Sequence, residues 1–358
     1  MMTIRELATE LGFSKTTVAY ALHGGGHVSE ATKRKVIEGA NRLGYRPNPL
    51  ASAFLSQVRG GHGTAGKGAI AYVCDMNSAD ELQINQHPIQ EFYQGAKERI
   101  EELGYRFDPI LLGREPLSKE RLDQVLLARG VQGILLGPIT HGVLGEYRLD
   151  LEHFAVVTSG QSVEGEHIPR TAHHFIHSFQ QIFRRAKAAG RERIGFLMHE
   201  EQNKRVRNHL ACGFLGEQSL LPASQRIPIY QVPIGQAMEP EKLRGWVKKH
   251  HPDVVIAGFS ALAEQVVHSG LRVPGDFAVA VLDLHTAYEP PGLWAGIDQC
   301  FAEGGRITAD ILISRIRNND HGLPEISPVV MMPGRWVPGK SFPEAGWSET
   351  DGSVGPRG

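Results

Sequence analysis

Thr3-Ile4-Arg5-Glu6-Leu7-Ala8, then Gly12-Phe13-Ser14-Lys15-Thr16-Thr17-Val18, then His27-Val28-Ser29 and Leu43-Gly44-Tyr45-Arg46-Pro47-Asn48 decide how this sequence folds at its start. Ile4, Leu7, Ala8 and Leu11 recur at helical spacing, and Gly12 stops the first helix. Ser14 is a good N-cap for a second helix, on which Val18, Ala21 and Leu22 share one face. Gly24-Gly25-Gly26 ends that helix, and Ser29 caps a third, with Val36, Ala40 and Leu43 turned inward and Gly44 as its stop. Helix, tight turn and capped second helix are the spacing of a helix-turn-helix. The second helix of that motif lies in the major groove and presents its N-terminal residues to base edges. On this reading Lys15 donates to guanine, Thr16 bonds a base or touches a thymine methyl, and Tyr20 reaches a base or phosphate, while Ser14 and Thr17 serve phosphates.

Outward from this head, residues 48–68 read as a joint. Asn48-Pro49 is an N-cap followed by a proline at the first helical position, starting a short helix to about Leu55. Alone in water, so short a helix is marginal. Arg59-Gly60-Gly61-His62-Gly63-Thr64 behind it is too glycine-rich to hold one shape. From Gly68 apolar strands alternate with helices. Strands are expected at 69–74, 133–136, 155–158, 194–198, 227–232, 254–257 and 277–282, and helices at 90–103, up to 190, 210–218, 241–250 and 261–269. Continuous apolar strands separated by helices indicate parallel sheets covered on both faces. Two such cycles predict two doubly wound lobes over residues 69–342, lobe 1 from 69–170 and 297–323, and lobe 2 from 171–296 and 324–342. Residues 343–358, rich in Gly, Ser, Pro and charge, read as a disordered tail.

Composition narrows the function classes. With 41% hydrophobic and 22% charged residues, the 358-residue chain can bury a sizeable core. It has no apolar run of about 18 residues, so no membrane span is expected, and its start lacks the apolar stretch of a secretion signal. Cys74, Cys212 and Cys300 are far apart in apolar segments, which predicts reduced core cysteines of a cytoplasmic protein. Residues 1–60 carry eight Lys/Arg against four Asp/Glu, whereas the rest carries 30 against 35. A basic head on a mildly acidic body suits a nucleic-acid partner for the head.

The segments quoted at the outset closely resemble the lac repressor (LacI/GalR) family over about the first fifty-five residues. Looser likenesses follow in order, at Gly190-Arg191-Glu192-Arg193-Ile194-Gly195, at Gly270–Asp276 leading to Asp283, and at Gln299, Gly305 and Ala309. The resemblance implies a homodimer, or a pair of dimers, on near-palindromic double-stranded operator DNA, with a body similar to periplasmic sugar-binding proteins and a small-molecule effector between its lobes. It implies DNA contacts from Thr3, Ser14, Lys15, Thr16, Thr17, Tyr20, His27, Tyr45 and Asn48. It also puts Phe54 where relatives push a leucine between base pairs, a task a phenyl ring can perform. Three positions depart from the family. Ala19 stands where a phosphate-bonding serine is usual, and Tyr20 and His23 replace a common arginine and asparagine. The operator sequence therefore cannot be copied from a relative.

For the body, ligands of doubly wound folds sit beyond the carboxyl ends of the strands. That rule selects Asp75, Asn77, Gln161, Ser260 and Asp283 as effector-binding candidates. The resemblance adds Arg205 or Arg207 and strengthens Asp283, and Trp294 offers a flat stacking face. Against the family's sugar-binding pattern, His173-His174 replaces an Asp-Asn pair, Ser260 an aspartate, and His87-Pro88 an aromatic pair. His173, His174 and His177 share spacing with zinc ligands but lack a carboxylate or cysteine partner, so no metal and no cofactor is expected. No Walker motif, nucleophile elbow or dinucleotide fingerprint is present, which argues against an enzyme carrying a DNA-binding head. A ligand carrier that no longer binds DNA would need a decayed head, yet the caps and glycine stops of this head are intact.

Overall fold

The computed structural model describes residues 4–23, 28–43, 68–74, 88–112, 119–137, 151–163, 168–287 and 289–343. The chain divides into two compact units, residues 1–66 and 67–358.

In the first unit, α1 (Ile4–Leu11), α2 (Lys15–His23) and α3 (Glu30–Arg42) match the sequence reading closely. Gly12, at φ +69°, takes the left-handed backbone that turns the chain out of α1. The Thr17 amide donates to Ser14 Oγ at 3.0 Å and the Thr32 amide to Ser29 Oγ at 3.3 Å, so both predicted serine caps form. Leu7, Ala8, Val18, Ala21, Val36 and Ala40 are buried together, with Leu11, Phe13, Leu22, Val28 and Leu43 at the margin. So small a core supplies only a few kcal/mol, and the helix caps therefore matter to the head out of proportion to their number.

The second unit holds two six-stranded sheets. The first comprises β1 (Ala69–Cys74), β2 (Arg106–Leu111), β3 (Val131–Leu136), β4 (Ala155–Ser159), β5 (Arg170–His173) and β11 (Val329–Met332), in the order β11-β5-β4-β3-β1-β2, all parallel. The second comprises β6 (Ile194–His199), β7 (Tyr230–Val232), β8 (Val254–Ala257), β9 (Ala278–Leu284), β10 (Ala295–Asp298) and β12 (Arg335–Val337), in the order β12-β10-β9-β8-β6-β7. It is parallel except where β12 pairs antiparallel with β10. β1 and β8 are buried along their whole length, as strands covered by helices on both faces must be.

The first sheet is flanked by α4 (Pro88–Glu102), α5 (Lys119–Ala128) and α11 (Phe301–Asn318). The second is flanked by α6 (Phe175–Ala188), α8 (His209–Ser219), α9 (Pro240–His250) and α10 (Ser260–His268), with the short α7 (Glu200–Arg205) after β6. α4 and α11 touch backbone to backbone. A Cβ at Gly95 would lie 2.0 Å from the Ala302 carbonyl oxygen, and one at Gly305 would lie 2.1 Å from that of Phe92. On the solvent side of this contact Arg306 donates to both carboxylate oxygens of Glu102, and Arg99 joins Glu102 to Asp310 at 2.7 Å.

The structure revises several sequence expectations. β5 and β11 belong to the first sheet, so lobe 1 extends to His173 and takes in residues 329–332, which the sequence reading gave to lobe 2. The cause is pairing. Arg170–His173 register with Val329–Met332, and residues 170 and 171 also pair with β4. The strand expected at 227–232 begins only at Tyr230. β2, α5, β10, β11 and β12 are short or half-exposed elements whose patterns lacked a clear period. Of the three cysteines only Cys74 is a core residue. Cys212 is exposed on α8, and Cys300 is partly buried at a left-handed cap, φ 56°, before α11. No helix among the described residues is long and apolar enough to cross a membrane.

Candidate functional sites

At the head, Ser14, Lys15 and Thr16 are exposed, and Thr17 and Tyr20 partly so. Ser14 Oγ lies 2.8 Å from Thr17 Oγ1 as well as accepting the Thr17 amide. The two hydroxyls expected at phosphates are thus first of all engaged with each other, and they hold the N-terminal turn that carries Lys15 and Thr16. Thr3, His27, Tyr45, Asn48 and Phe54 lie outside the described residues, as do the hinge at 48–55 and the tail from 344.

In the body the chain passes between the sheets three times, at His173–Phe175, Asp298–Phe301 and Met332–Arg335. The crossings are laced together. The His174 amide donates to the Met332 carbonyl at 2.9 Å, and Gln181 Nε2 donates to the Gly334 carbonyl at 3.0 Å. Asp298 accepts the Cys300 amide at 2.8 Å, the Thr286 hydroxyl at 3.2 Å and Arg335 at 2.9 Å.

A cleft of about 200 Å³ opens beside these crossings. Of the predicted effector residues, Gln161, Arg205 and Asp283 line it. Arg207 does not line it. Its left-handed backbone, φ 53°, directs the guanidinium toward the Val163 carbonyl at 3.5 Å. Ser260 is buried at the start of α10, away from the lining. Trp294 is only 3% exposed and packs in the lobe 2 core with Val281 and Leu284, so it offers no stacking face. The aromatic faces at the cleft are instead Phe92, Phe175 and Phe301, the last stacked on His285 at 5.5 Å. Asp75 and Asn77 lie outside the described residues.

Sequence reasoning did not select Gln202, Gln299 or these phenylalanines as site residues, and it weighed His173 as a departure from the sugar-binding pattern and as a metal ligand. The rule that selected Asp283 also reaches Gln202, because α7 starts directly at the end of β6. Phe301, at the head of α11, was hidden by the unrecognised β10.

The electrostatics of the cleft follow from its burial. Burial pushes the Asp283 carboxyl above the usual carboxylate range, opposed by His285, 3.5 Å from its Oδ1, and by Arg205. Glu91 of α4 is raised for the same first reason, with Asp298 and Asp283 adding to it against His285. His173 is pushed down to about 3 by burial, and next by His174 and His177, so its ring is neutral. Its Nε2 lies 2.7 Å from Ser178 Oγ, whose hydroxyl points to the His174 carbonyl at 3.4 Å. A neutral ring has one donor and one acceptor nitrogen, and its Nδ1 is buried without a hydrogen-bond partner. His174 Nδ1 caps α6 by accepting the His177 amide at 3.2 Å. The His173 and His174 rings are thus engaged with Ser178 and with the His177 amide, and no group of three or more His, Cys, Asp or Glu that could hold a metal ion occurs among the described residues.

The described residues thus hold a tri-helical unit with the spacing of a helix-turn-helix and a two-lobed unit with a cleft. Residues 3–48 match the sequence profile described as bacterial regulatory proteins, lacI family, and residues 183–342 that of the periplasmic binding protein-like domain. The head is thus similar to that of lacI-family bacterial regulatory proteins. It is 47% identical over 63 residues to the HTH-type transcriptional regulator AscG of Escherichia coli, a stretch covering 17% of this chain and 19% of that protein. It is 26% identical over 133 residues to the HTH-type transcriptional regulator DegA of Bacillus subtilis, 37% of this chain and 35% of that one. The chain thus matches only about a fifth of the length of the first of these relatives. Among solved structures, the transcriptional regulator CelR–cellobiose complex superimposes with a TM-score of 0.55 at 20% identity, covering 95% of this chain and 100% of that one. The lac repressor bound to ONPG gives 0.55 at 19% identity, covering 95% and 99%. At such identities these two likenesses establish the fold alone.

Proposed function

We infer that this protein is a transcriptional repressor whose grip on operator DNA is set by a small molecule, a sugar or related metabolite, held in the cleft of its body. The observation that carries the reading is the pair Lys15 and Thr16, exposed on the first turn of a serine-capped second helix. Those are the residues that a helix-turn-helix turns to base edges. Tyr20 and, from the resemblance, Thr3, His27, Tyr45 and Asn48 complete the contact, and two copies read the two halves of a near-palindrome as a homodimer in the cytoplasm. Residues 48–55 form the hinge helix, paired with its twin on DNA, and Phe54 is its wedge in the minor groove. A ligand that favours one arrangement of the two lobes shifts the pairing of the hinges, with couplings of this type worth roughly 1–3 kcal/mol.

Selection of bound sites from random duplexes by the full chain tests the reading. The expected result is enrichment of an inverted repeat whose recovery falls steeply with salt, since neutralised phosphates release counterions. Failure to enrich any sequence at low salt overturns it.

A further inference from the structure

One edge of the first sheet stays open. Among the described strands β11 is its outermost and pairs with β5 on one side alone. Of the eleven large apolar side chains exposed among the described residues, five fall within nine positions, at Leu323, Ile326, Val329, Val330 and Met331. Ile326 is 85% exposed and Val329 48%. Single exposed apolar residues are ordinary, but a concentration of this kind marks a contact surface.

The backbone of the edge is as open as its side chains. The Arg170 amide donates to the Pro328 carbonyl at 3.1 Å, and the His174 amide to that of Met332 at 2.9 Å. Pro328 and Met332 thus turn their carbonyls to β5, and by the alternation of a strand Val329 and Met331 turn their amides and carbonyls outward. The row is short. Pro333 has no N–H to extend it, and the chain bends at Glu325 and Ile326 before it.

So short a row limits what can pair with it. A disordered peptide would lose backbone freedom at every residue it laid down, a loss that the net gain of one hydrogen bond per residue does not exceed. A second copy of this chain is spared that loss, because β5 already holds its β11 extended. It also brings the same apolar side chains to the contact.

We propose that β11 pairs antiparallel with β11 of a second copy about a two-fold axis at Val330, joining the two first sheets edge to edge. In this register Val329 and the partner's Met331 exchange amide and carbonyl, as do Met331 and the partner's Val329. Centring the pair on Val329 would set Met331 against Ser327, outside the strand, and centring it on Met331 would set Val329 against Pro333, which lacks a donor. The two Val330 residues then form a non-hydrogen-bonded pair with Cα atoms about 4.5 Å apart. Five partly exposed side chains offer less than the roughly 800 Å² per partner of a stable interface, so the contact is weak and depends on concentration. It depends neither on what the cleft holds nor on what the head reads.

Cysteine cross-linking of the full chain tests it, in a Cys212→Ser parent that lacks the exposed native thiol. Under mild oxidation Val330→Cys is expected to link two chains, since its two Cα atoms fall within disulfide reach. Val329→Cys, no less exposed, is expected to link at least about tenfold more slowly, because its Cα lies about 8 Å from its twin's. Equal rates for the two variants mean random collision and overturn the proposal, as does the absence of any link at Val330→Cys. Sedimentation velocity over a wide range of concentration gives a second reading. Self-association of the parent chain is expected to weaken by about tenfold or more in Val330→Lys, which sets like charges face to face, with no change in the thermal melt. Association that is unchanged in Val330→Lys overturns the proposal. So does a parent chain that does not associate through this edge, which would leave a different protein as the partner of β11.

Discussion

Arg335 donates to Asp298 Oδ2 at 2.9 Å, and this contact ties the third crossing between the lobes to the start of the second. The two partners are unequal. Asp298 is buried and also receives the Cys300 amide and the Thr286 hydroxyl, whereas the Arg335 side chain is 71% exposed. Asp298→Ala therefore strands two further donors and is expected to cost about 1–3 kcal/mol in urea unfolding. Arg335→Ala should cost at most about 1 kcal/mol, because exposed ion pairs contribute little. Equal losses for both variants would mean that the ion pair, and not the buried carboxylate, holds the crossing.

The glycines of the α4–α11 contact set up a second comparison. A Cβ at Gly305 meets the Phe92 carbonyl oxygen, a backbone atom that cannot swing aside. Gly305→Ala is expected to destabilise the body by about 1–3 kcal/mol or more, through forced separation of the helices. Gly216, exposed within α8, has nothing within 4 Å of an added Cβ. Gly216→Ala should leave stability unchanged or raise it by up to about 1 kcal/mol through helix propensity. Thermal melts of the two variants check the pair, and a tolerated Gly305→Ala would contradict the close packing of these helices.

His173 gives the body an acid sensitivity with a defined window. Its folded-state pKa, about 3, lies below the ordinary 6.5, so the unfolded chain binds the extra proton between those values. Stability from this group is whole above pH 6.5 and is lost as pH falls toward 3. Asp283 works in the opposite sense. Its raised carboxyl pKa penalises the folded state at neutral pH and relieves it on acidification. Urea midpoints measured across this range should fall less steeply with acid in His173→Gln than in the parent chain. An unchanged slope would show that the imidazole is not held neutral.

Within the head, cap and reader can be told apart. Ser14→Ala removes the acceptor of the Thr17 amide and should lower the head's stability by about 1 kcal/mol. Lys15→Ala, exposed and outside the small core, should leave the melt unchanged while weakening the preferred site by about 1–3 kcal/mol relative to its mismatched variants. Gel-shift titration beside calorimetric melting checks both. A melt lowered by Lys15→Ala, with no loss of site preference, would refute its role as a base reader.

Much of this architecture could be read before any coordinates. Ser14, Ser29 and Gly12 announce the head because capping and chain reversal are local events, decided by one or two residues. β1 and β8 were equally plain, since a strand buried on both faces must be apolar throughout, and β9 follows the same pattern up to Leu282. What escaped depended on distant pairing. Nothing in Arg170–His173 says that its neighbour will be Val329–Met332, and the exposed face of β11 conceals its strand character. At the cleft, Gln161 followed from its place after β4, and Asp283 from its place at the carboxyl end of β9. Trp294 misled because a tryptophan reads the same in a core as at a binding face, and the local sequence does not say which side of β10 is covered.

Both sheets share one strand order, and each receives its last strand only after the chain has crossed between them again. A ribosome has therefore synthesised some 328 residues before the first sheet gains β11, and still more before the second gains β12. The head, by contrast, has every residue of its core by position 43. During synthesis the DNA reader can thus form long before the part that would govern it. A message cut short upstream of Val329 would yield a complete head on a body that lacks an edge strand in both lobes.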